Sequence, residues 1–152
     1  MFVAMIKKVQ REGMDRTKHR PSISEGDLHK LLSSDALSTH NPRTLQMKIW
    51  FDLVLSFGKR GRENQRFFTD NTFVIKPDDC GRRFVEMAVS ETTKNYKGGL
   101  DDNQNVIKPR MYETNKNDSP VSALQKYLSK RNPTRIFFQQ PRVKVNDKDE
   151  MW

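Results

Sequence analysis

The chain has 152 residues, with 28 Lys and Arg against 19 Asp and Glu, a formal net charge of +9, and its 34% hydrophobic content is nearly matched by 31% charged residues. That length holds one domain with a thin core, and no apolar run approaches the roughly 20 residues of a membrane-spanning helix. The single cysteine, Cys80, excludes an intramolecular disulfide and a cysteine-based zinc or iron–sulfur centre.

The opening MFVAMIKK lacks the apolar core and cleavage site of a signal peptide, so a soluble, unsecreted chain in a reducing compartment is expected. Residues 1–21 form a basic N-terminal segment in which Lys7, Lys8, Arg11, Arg16, Lys18 and Arg20 stand against Glu12 and Asp15. Phe2, Val3, Met5, Ile6 and Val9 predict a frayed helix that Gly13 interrupts. Ser24 and Asp27 resemble a capping box with a shortened acid, followed by the stripe Leu28, Leu31 and Leu32, which predicts a short helix ending near Ser33.

Asn41 followed by Pro42 is a strong helix start, since the Asn side chain accepts a free N–H and proline is preset for the first turn. The apolar stripe Leu45, Ile49, Trp50, Leu53, Val54 and Phe57 then predicts the spine of the core, with Gly58 closing the helix. Segments 72–76 and 82–89 read as strands around the turn Pro77-Asp78-Asp79-Cys80-Gly81, and 110–114 as a third. Ser119-Pro120 repeats the cap-plus-proline start, with Val121, Leu124, Tyr127 and Leu128 as a stripe that stops at Asn132-Pro133. Ile136-Phe137-Phe138 reads as a short buried extended segment, and 142–152 as a loose tail. The expected class is α+β, helices packed on a small three-stranded antiparallel sheet.

Chemistry is sparse. His19, His29 and His40 show no HxxxH or HExxH spacing, no phosphate-binding glycine motif is present, and neither a metal site nor a cofactor is expected. The densest cluster is FGKRGRENQRFF, where Lys59, Arg60, Arg62 and Arg66 follow directly on the best helix. Arginines held there rigidly would clamp a phosphate bidentately; read more plainly, the stretch is a solvated loop in which Glu63 pairs one arginine. Lys94, in TTKNYKGG, reads by itself as a solubilising residue of a hairpin.

The order of these pieces resembles the first half of a tyrosine recombinase catalytic domain. More closely, KHRPSISEGDLHKLL, LQMKIWFDLVLSFGKRGREN, ETTKNYKGGLDD, RMYET and SPVSALQKYLSKRNP resemble the Crypton-type recombinase-like domain found at the C-terminus of MYM-type zinc-finger proteins and of glutamine-rich and related nuclear proteins. The resemblance runs from about residue 18 to 142 and implies an incomplete recombinase/integrase fold over 22–141. It places Arg60, in G-x-R-x-x-E with Gly58 and Glu63, at the family's first catalytic arginine, and Lys94 at its β-hairpin lysine.

In active members, the resemblance implies a tyrosine that attacks a DNA phosphodiester while two arginines and a His-type residue neutralise the crowded phosphorane and the lysine protonates the leaving oxygen. Here no H-x-x-R block or nucleophilic tyrosine follows the PVSALQKYL helix before Trp152, and Tyr96, Tyr112 and Tyr127 do not stand at the nucleophile's position. Arg60 and Lys94 are therefore vestigial catalytic candidates, and no strand cleavage is expected. The expected function is a non-catalytic, transposon-derived module of a nuclear protein that contacts the DNA backbone with low specificity through Lys59, Arg60, Arg62, Arg66, Lys94 and Lys97. Two alternatives stay open. One is a fragment of an active recombinase truncated before its second catalytic block. The other is a nuclear protein-interaction module, whose open apolar face docks a partner.

Overall fold

A computed structural model describes residues 7–8, 11–13, 21–58, 65–88, 108–115, 119–134, 136–142, 144–145 and 148–152. The chain divides into two units, Met1–Lys30 and Leu31–Trp152. In the first, Lys7, Lys8 and Arg11 are helical, the Glu12 N–H donates to the Lys8 carbonyl, and Gly13 follows with φ +66°. Helix α1 (Glu25–Leu32) starts at Ser24, whose hydroxyl accepts the Asp27 N–H at 3.1 Å and donates to the Asp27 carboxylate at 2.7 Å. Asp is one methylene shorter than the usual Glu, and its carboxylate here takes the cap's hydroxyl proton. None of the α1 residues is fully buried, so its leucine stripe contributes no core residue.

The second unit is built on helix α2 (Pro42–Phe57). Asn41 is extended and its side chain accepts the Thr44 N–H at 3.0 Å, Pro42 occupies the first turn, and Gly58 closes the helix at φ +60° with its N–H on the Val54 carbonyl. A β-carbon at Gly58 would meet no atom within 4 Å, so its cost would be the left-handed backbone alone, about 1 kcal/mol. The sheet is antiparallel in the order β1 (Phe73–Pro77), β2 (Arg83–Met87), β3 (Met111–Tyr112). Phe73 pairs with Met87, Ile75 with Val85, Lys76 with Phe84, and on the other side Phe84 with Tyr112 and Val85 with Met111. The β1–β2 turn is organised by Asp78, whose Oδ1 accepts the N–H groups of Cys80 and Arg82, with Gly81 at φ +79°. Helix α3 (Pro120–Lys130) completes the unit.

The fold is thus α+β with a small three-stranded antiparallel sheet. Its core joins Leu45, Ile49 and Leu53 of α2, Phe73, Val85 and Met111 of the sheet, Val121, Leu124 and Tyr127 of α3, and Phe68 and Phe137 from the connections. Burial of these side chains, each worth about 1.5–3 kcal/mol, sets the geometry of everything outside them.

Four expectations are corrected. On α2 the buried arc is Leu45, Lys48, Ile49, Asp52 and Leu53, whereas Trp50 is 38% exposed and Val54 and Phe57 are half-buried. The apolar stripe therefore overhangs the core on one flank while a Lys48–Asp52 ion pair, 3.1 Å, is buried on the other. At α3 the Ser119 hydroxyl accepts the Thr114 N–H at 3.1 Å and makes no cap bond to its own helix, although it stands at the cap position. Of the segment 136–138 only Phe137 is fully buried and no strand forms; Ile136 is 63% exposed, and its carbonyl accepts a hydrogen bond from the Arg131 guanidinium, not from a neighbouring strand. The C-terminal residues lack regular structure where described, yet Trp152 is buried. Its N–H donates to the Lys130 carbonyl at 2.8 Å, and the ammonium groups of Lys126 and Lys130 lie 4.9 and 5.5 Å from its ring centre. Aromatic area and cation–π attraction fix this end of the chain, which a count of apolar residues in the tail cannot reveal.

Candidate nucleic-acid interface

Described residues flank the basic stretch after α2 on both sides. On its N-terminal side stands Gly58, the left-handed cap of α2. On its C-terminal side a single 3₁₀ turn, Gln65–Phe67, is tied back to the middle of the same helix by a 2.6 Å hydrogen bond from Trp50 Nε1 to Gln65 Oε1. The next residue, Phe68, is a core residue whose carbonyl accepts the Phe137 N–H at 3.1 Å. Arg66 is exposed, with its guanidinium 5.0 Å from the centre of the Phe67 ring, which is itself 65% exposed. Lys59, Arg60, Arg62 and Glu63, and in the β2–β3 connection Lys94 and Lys97, lie outside the described residues. Of the sequence-predicted site, Arg66 is the member that the structure places.

A second group of cations was not singled out by sequence reading. Alternation along the strands puts Phe73, Ile75, Val85 and Met111 toward the core, and Lys76, Phe84, Glu86 and Tyr112 on the other face. There the Phe84 and Tyr112 rings lie 5.5 Å apart. The Arg110 guanidinium sits 4.3 Å over Phe84 and that of Arg82 sits 4.0 Å over Tyr112. Arg110 also approaches the Tyr112 hydroxyl at 3.4 Å and the Glu86 carboxylate at 3.9 Å, while Glu86 takes its close contact from Lys76 at 2.5 Å. The hydrogen bond to Tyr112, together with Glu86 and Asp78, outweighs desolvation and raises the Arg110 pKa further. Arg82 stands 3.5 Å from Asp78. Desolvation pushes the Asp78 carboxyl up, but the N–H groups of Arg82 and Cys80 and the Arg82 charge outweigh it and hold the carboxyl below its ordinary value. Arg82 and Arg110 come from a turn and from the approach to a two-residue strand, 28 positions apart in sequence, and only the sheet register brings them together.

Beside this face, Arg83 forms a bidentate pair with Glu113 and reaches Gln125 of α3 at 2.8 Å. Hydrogen bonding to Arg83 holds the Glu113 carboxyl below its ordinary range against the effect of desolvation. Here the fork is used up internally, joining β2, the residue after β3 and α3.

The tyrosine hydroxyls described are engaged. Tyr127 is buried and donates to the Phe137 carbonyl at 2.6 Å, and its burial raises the phenol pKa against the opposing effects of the Gln139 backbone and Arg131. Tyr112 belongs to the arginine stack. Tyr96 lies outside the described residues. His40 and Arg43 do stand at H-x-x-R spacing, a match that sequence reading passes over. They flank the Asn41 cap and the Pro42 start of α2, ahead of Arg60 in the chain rather than after the hairpin. Among the described residues no three His, Cys, Asp or Glu side chains are grouped to hold a metal.

Comparison with known proteins gives no significant match to a family model, to a curated protein or to a solved structure.

Proposed function

We propose that this chain is a non-catalytic, transposon-derived tyrosine recombinase-like module, with an incomplete recombinase-type fold, that contacts the backbone of duplex DNA at low sequence specificity in the nucleus. The observation that carries this reading is Arg66, the described cation of the basic stretch 59–66, which is exposed on the turn Gln65–Phe67 that the Trp50–Gln65 hydrogen bond ties to the core helix α2. A cation presented from a tethered turn loses less conformational freedom on meeting a phosphate than one on a free tail. The excess of +9 supplies long-range attraction to a polyanion. The non-catalytic part of the reading is supported by Tyr127, whose hydroxyl is committed to the Phe137 carbonyl.

Titration of the full chain with mixed-sequence duplex DNA at about 50 and about 200 mM salt tests the reading. Dissociation constants on the order of 10⁻⁴ to 10⁻⁶ M at physiological salt, tightening steeply at low salt, are expected, with weaker binding by Arg60→Ala/Arg62→Ala. No binding at low salt, or no effect of that double substitution, rejects it. DNA encoding an H-x-x-R block and a tyrosine after Trp152 would instead assign the chain to an active recombinase.

A protein-interaction role is favoured by a different observation. Met47 and Trp50 on the outer flank of α2 and Phe67 just beyond it are 48%, 38% and 65% exposed, an apolar surface that a partner would cover. Capture of one defined partner that survives Arg60→Glu and is lost with Trp50→Ala would support that role over DNA contact.

A further inference from the structure

The strongest unassigned feature is the stack on the outer face of the sheet. In the row Lys76, Phe84, Tyr112, fixed by strand register, two rings are each covered by a guanidinium. A flexible surface arginine spends rotamer entropy on every contact. A guanidinium seated over a ring has already lost part of that freedom, while its planar fork of N–H donors keeps the chemistry that suits a phosphate.

The neighbouring carboxylates do not saturate these donors. Asp78 Oδ1 is taken by two backbone N–H groups, and Oδ2 lies 3.5 Å from Arg82. Glu86 holds Lys76 at 2.5 Å and Arg110 at 3.9 Å. Arg82 meets Asp78 through its Nε alone, at 3.5 Å, and Arg110 stands 3.9 Å from Glu86, so among the described residues neither guanidinium has its fork engaged on a carboxylate. Arg83 shows the alternative in the same sheet, with its fork engaged on Glu113. Arg82 and Arg110 remain accessible, with side chains 57% and 43% exposed.

We infer that Arg82 and Arg110, seated on Tyr112 and Phe84, form a phosphate clamp for the backbone of duplex DNA. The occupant follows from what the face offers. Among the described residues of this network the three cations Lys76, Arg82 and Arg110 stand against the carboxylates of Asp78 and Glu86, a balance that favours anions. Phe84 is 4% exposed beneath its guanidinium, so it offers no bare ring on which an unpaired base could stack, as single-strand binders require. The cations stand on a strand-supported surface and read charge rather than base identity. This clamp rests on the DNA reading above and adds a second contact surface to it, separate in sequence from the stretch 59–66.

The test uses the full chain, a mixed-sequence duplex and the matching single strand, with Arg82→Gln/Arg110→Gln compared with Arg60→Ala/Arg62→Ala. Lys144→Gln/Lys148→Gln serves as an equal-charge control on exposed residues of the C-terminal stretch. The clamp predicts that Arg82→Gln/Arg110→Gln weakens duplex binding at least about tenfold at low salt and lowers the slope of log K against log salt by about 2, while the control loses less. Arg82→Lys/Arg110→Lys keeps the charge but loses the planar fork, and is expected to fall between wild type and the Gln pair. It carries the test if the Gln pair does not fold by circular dichroism.

If wild type binds duplex, and Arg60→Ala/Arg62→Ala weakens it while the sheet pair does not, the clamp is overturned and the DNA reading stands. An equal loss in the control also overturns the clamp, since charge alone would then explain the effect. So does tenfold preference for the single strand, or tighter binding of a polyglutamate peptide than of duplex. If wild type fails to bind duplex at low salt, both the clamp and the reading beneath it fall.

Discussion

On one side of the sheet, Phe73, Ile75, Val85 and Met111 meet α2, α3 and Phe137; on the other, Lys76, Phe84, Glu86 and Tyr112 carry the guanidinium groups of Arg82 and Arg110. Both sides contain aromatic rings, but those rings do different things. Toward the core, Phe137 is fully buried and approaches Phe73 at 5.3 Å and Tyr127 at 5.5 Å, so its area is removed from water by other hydrocarbon. On the outer face the rings are shielded by cations whose edges remain wet. The inner side gains free energy by burying hydrocarbon against hydrocarbon, whereas on the outer side Phe84 is buried beneath a guanidinium that stays partly exposed, so the same dehydration also holds charged groups at the surface.

The sharpest way to break this contrast is to empty the inner side. Phe137→Ala is expected to cost about 3–5 kcal/mol, read as a lowered urea midpoint with an unchanged denaturant slope. A loss below about 1 kcal/mol would mean that the aromatic cluster is not the core. The buried Lys48–Asp52 pair should behave as a charged element within the core. Lys48→Met alone is expected to cost about 3 kcal/mol or more because it removes the cation 3.1 Å from a buried carboxylate, whereas Lys48→Met/Asp52→Leu should recover part of that loss. If the two variants are equally destabilised, the ion pair is not the reason.

Smaller effects are expected outside. Arg82→Ala should change stability by about 1 kcal/mol or less, because an exposed cation–π contact is worth only that much, so its consequences belong to binding. Acid titration separates the internal fork from the outer stack. The Glu113 carboxyl lies below its ordinary value of 4.5 in the folded chain, so its contribution is complete above that pH and is lost as pH falls through the lower folded value. Glu113→Gln should therefore flatten the acid limb of the stability curve below about pH 4.5, and Arg82→Ala should leave the Glu113 contribution in place.

The local grammar of the chain was legible residue by residue. Asn41-Pro42 and Gly58 bound α2 where capping chemistry requires, Gly81 sits in the hairpin turn at positive φ, and the three strands were placed to within a residue or two at each end. Where reading failed, a short-range rule met a long-range competitor. Ser119 stands at a helix start, but its hydroxyl is taken by Thr114, and the apolar stripe of α2 pointed toward Trp50 while burial extended to Lys48 and Asp52. The proposed site divides in the same way. The cluster around Arg60 is conspicuous because its charges are contiguous, whereas Arg82 and Arg110 are unremarkable in sequence and become a pair only through strand register.

The sequence by itself determined the charge excess, the lack of an intramolecular disulfide, the helix boundaries and the alternation that gives the sheet two unlike faces, because each depends on residue type or on neighbours within a turn or two. Tertiary structure alone decided that Trp152 docks on α3, that a lysine and an aspartate share the buried side of α2, and that Arg82 and Arg110 come to rest on adjacent rings. Those outcomes depend on which distant surfaces compete successfully for burial. That competition is settled by the whole set of contacts and leaves no local trace along the chain.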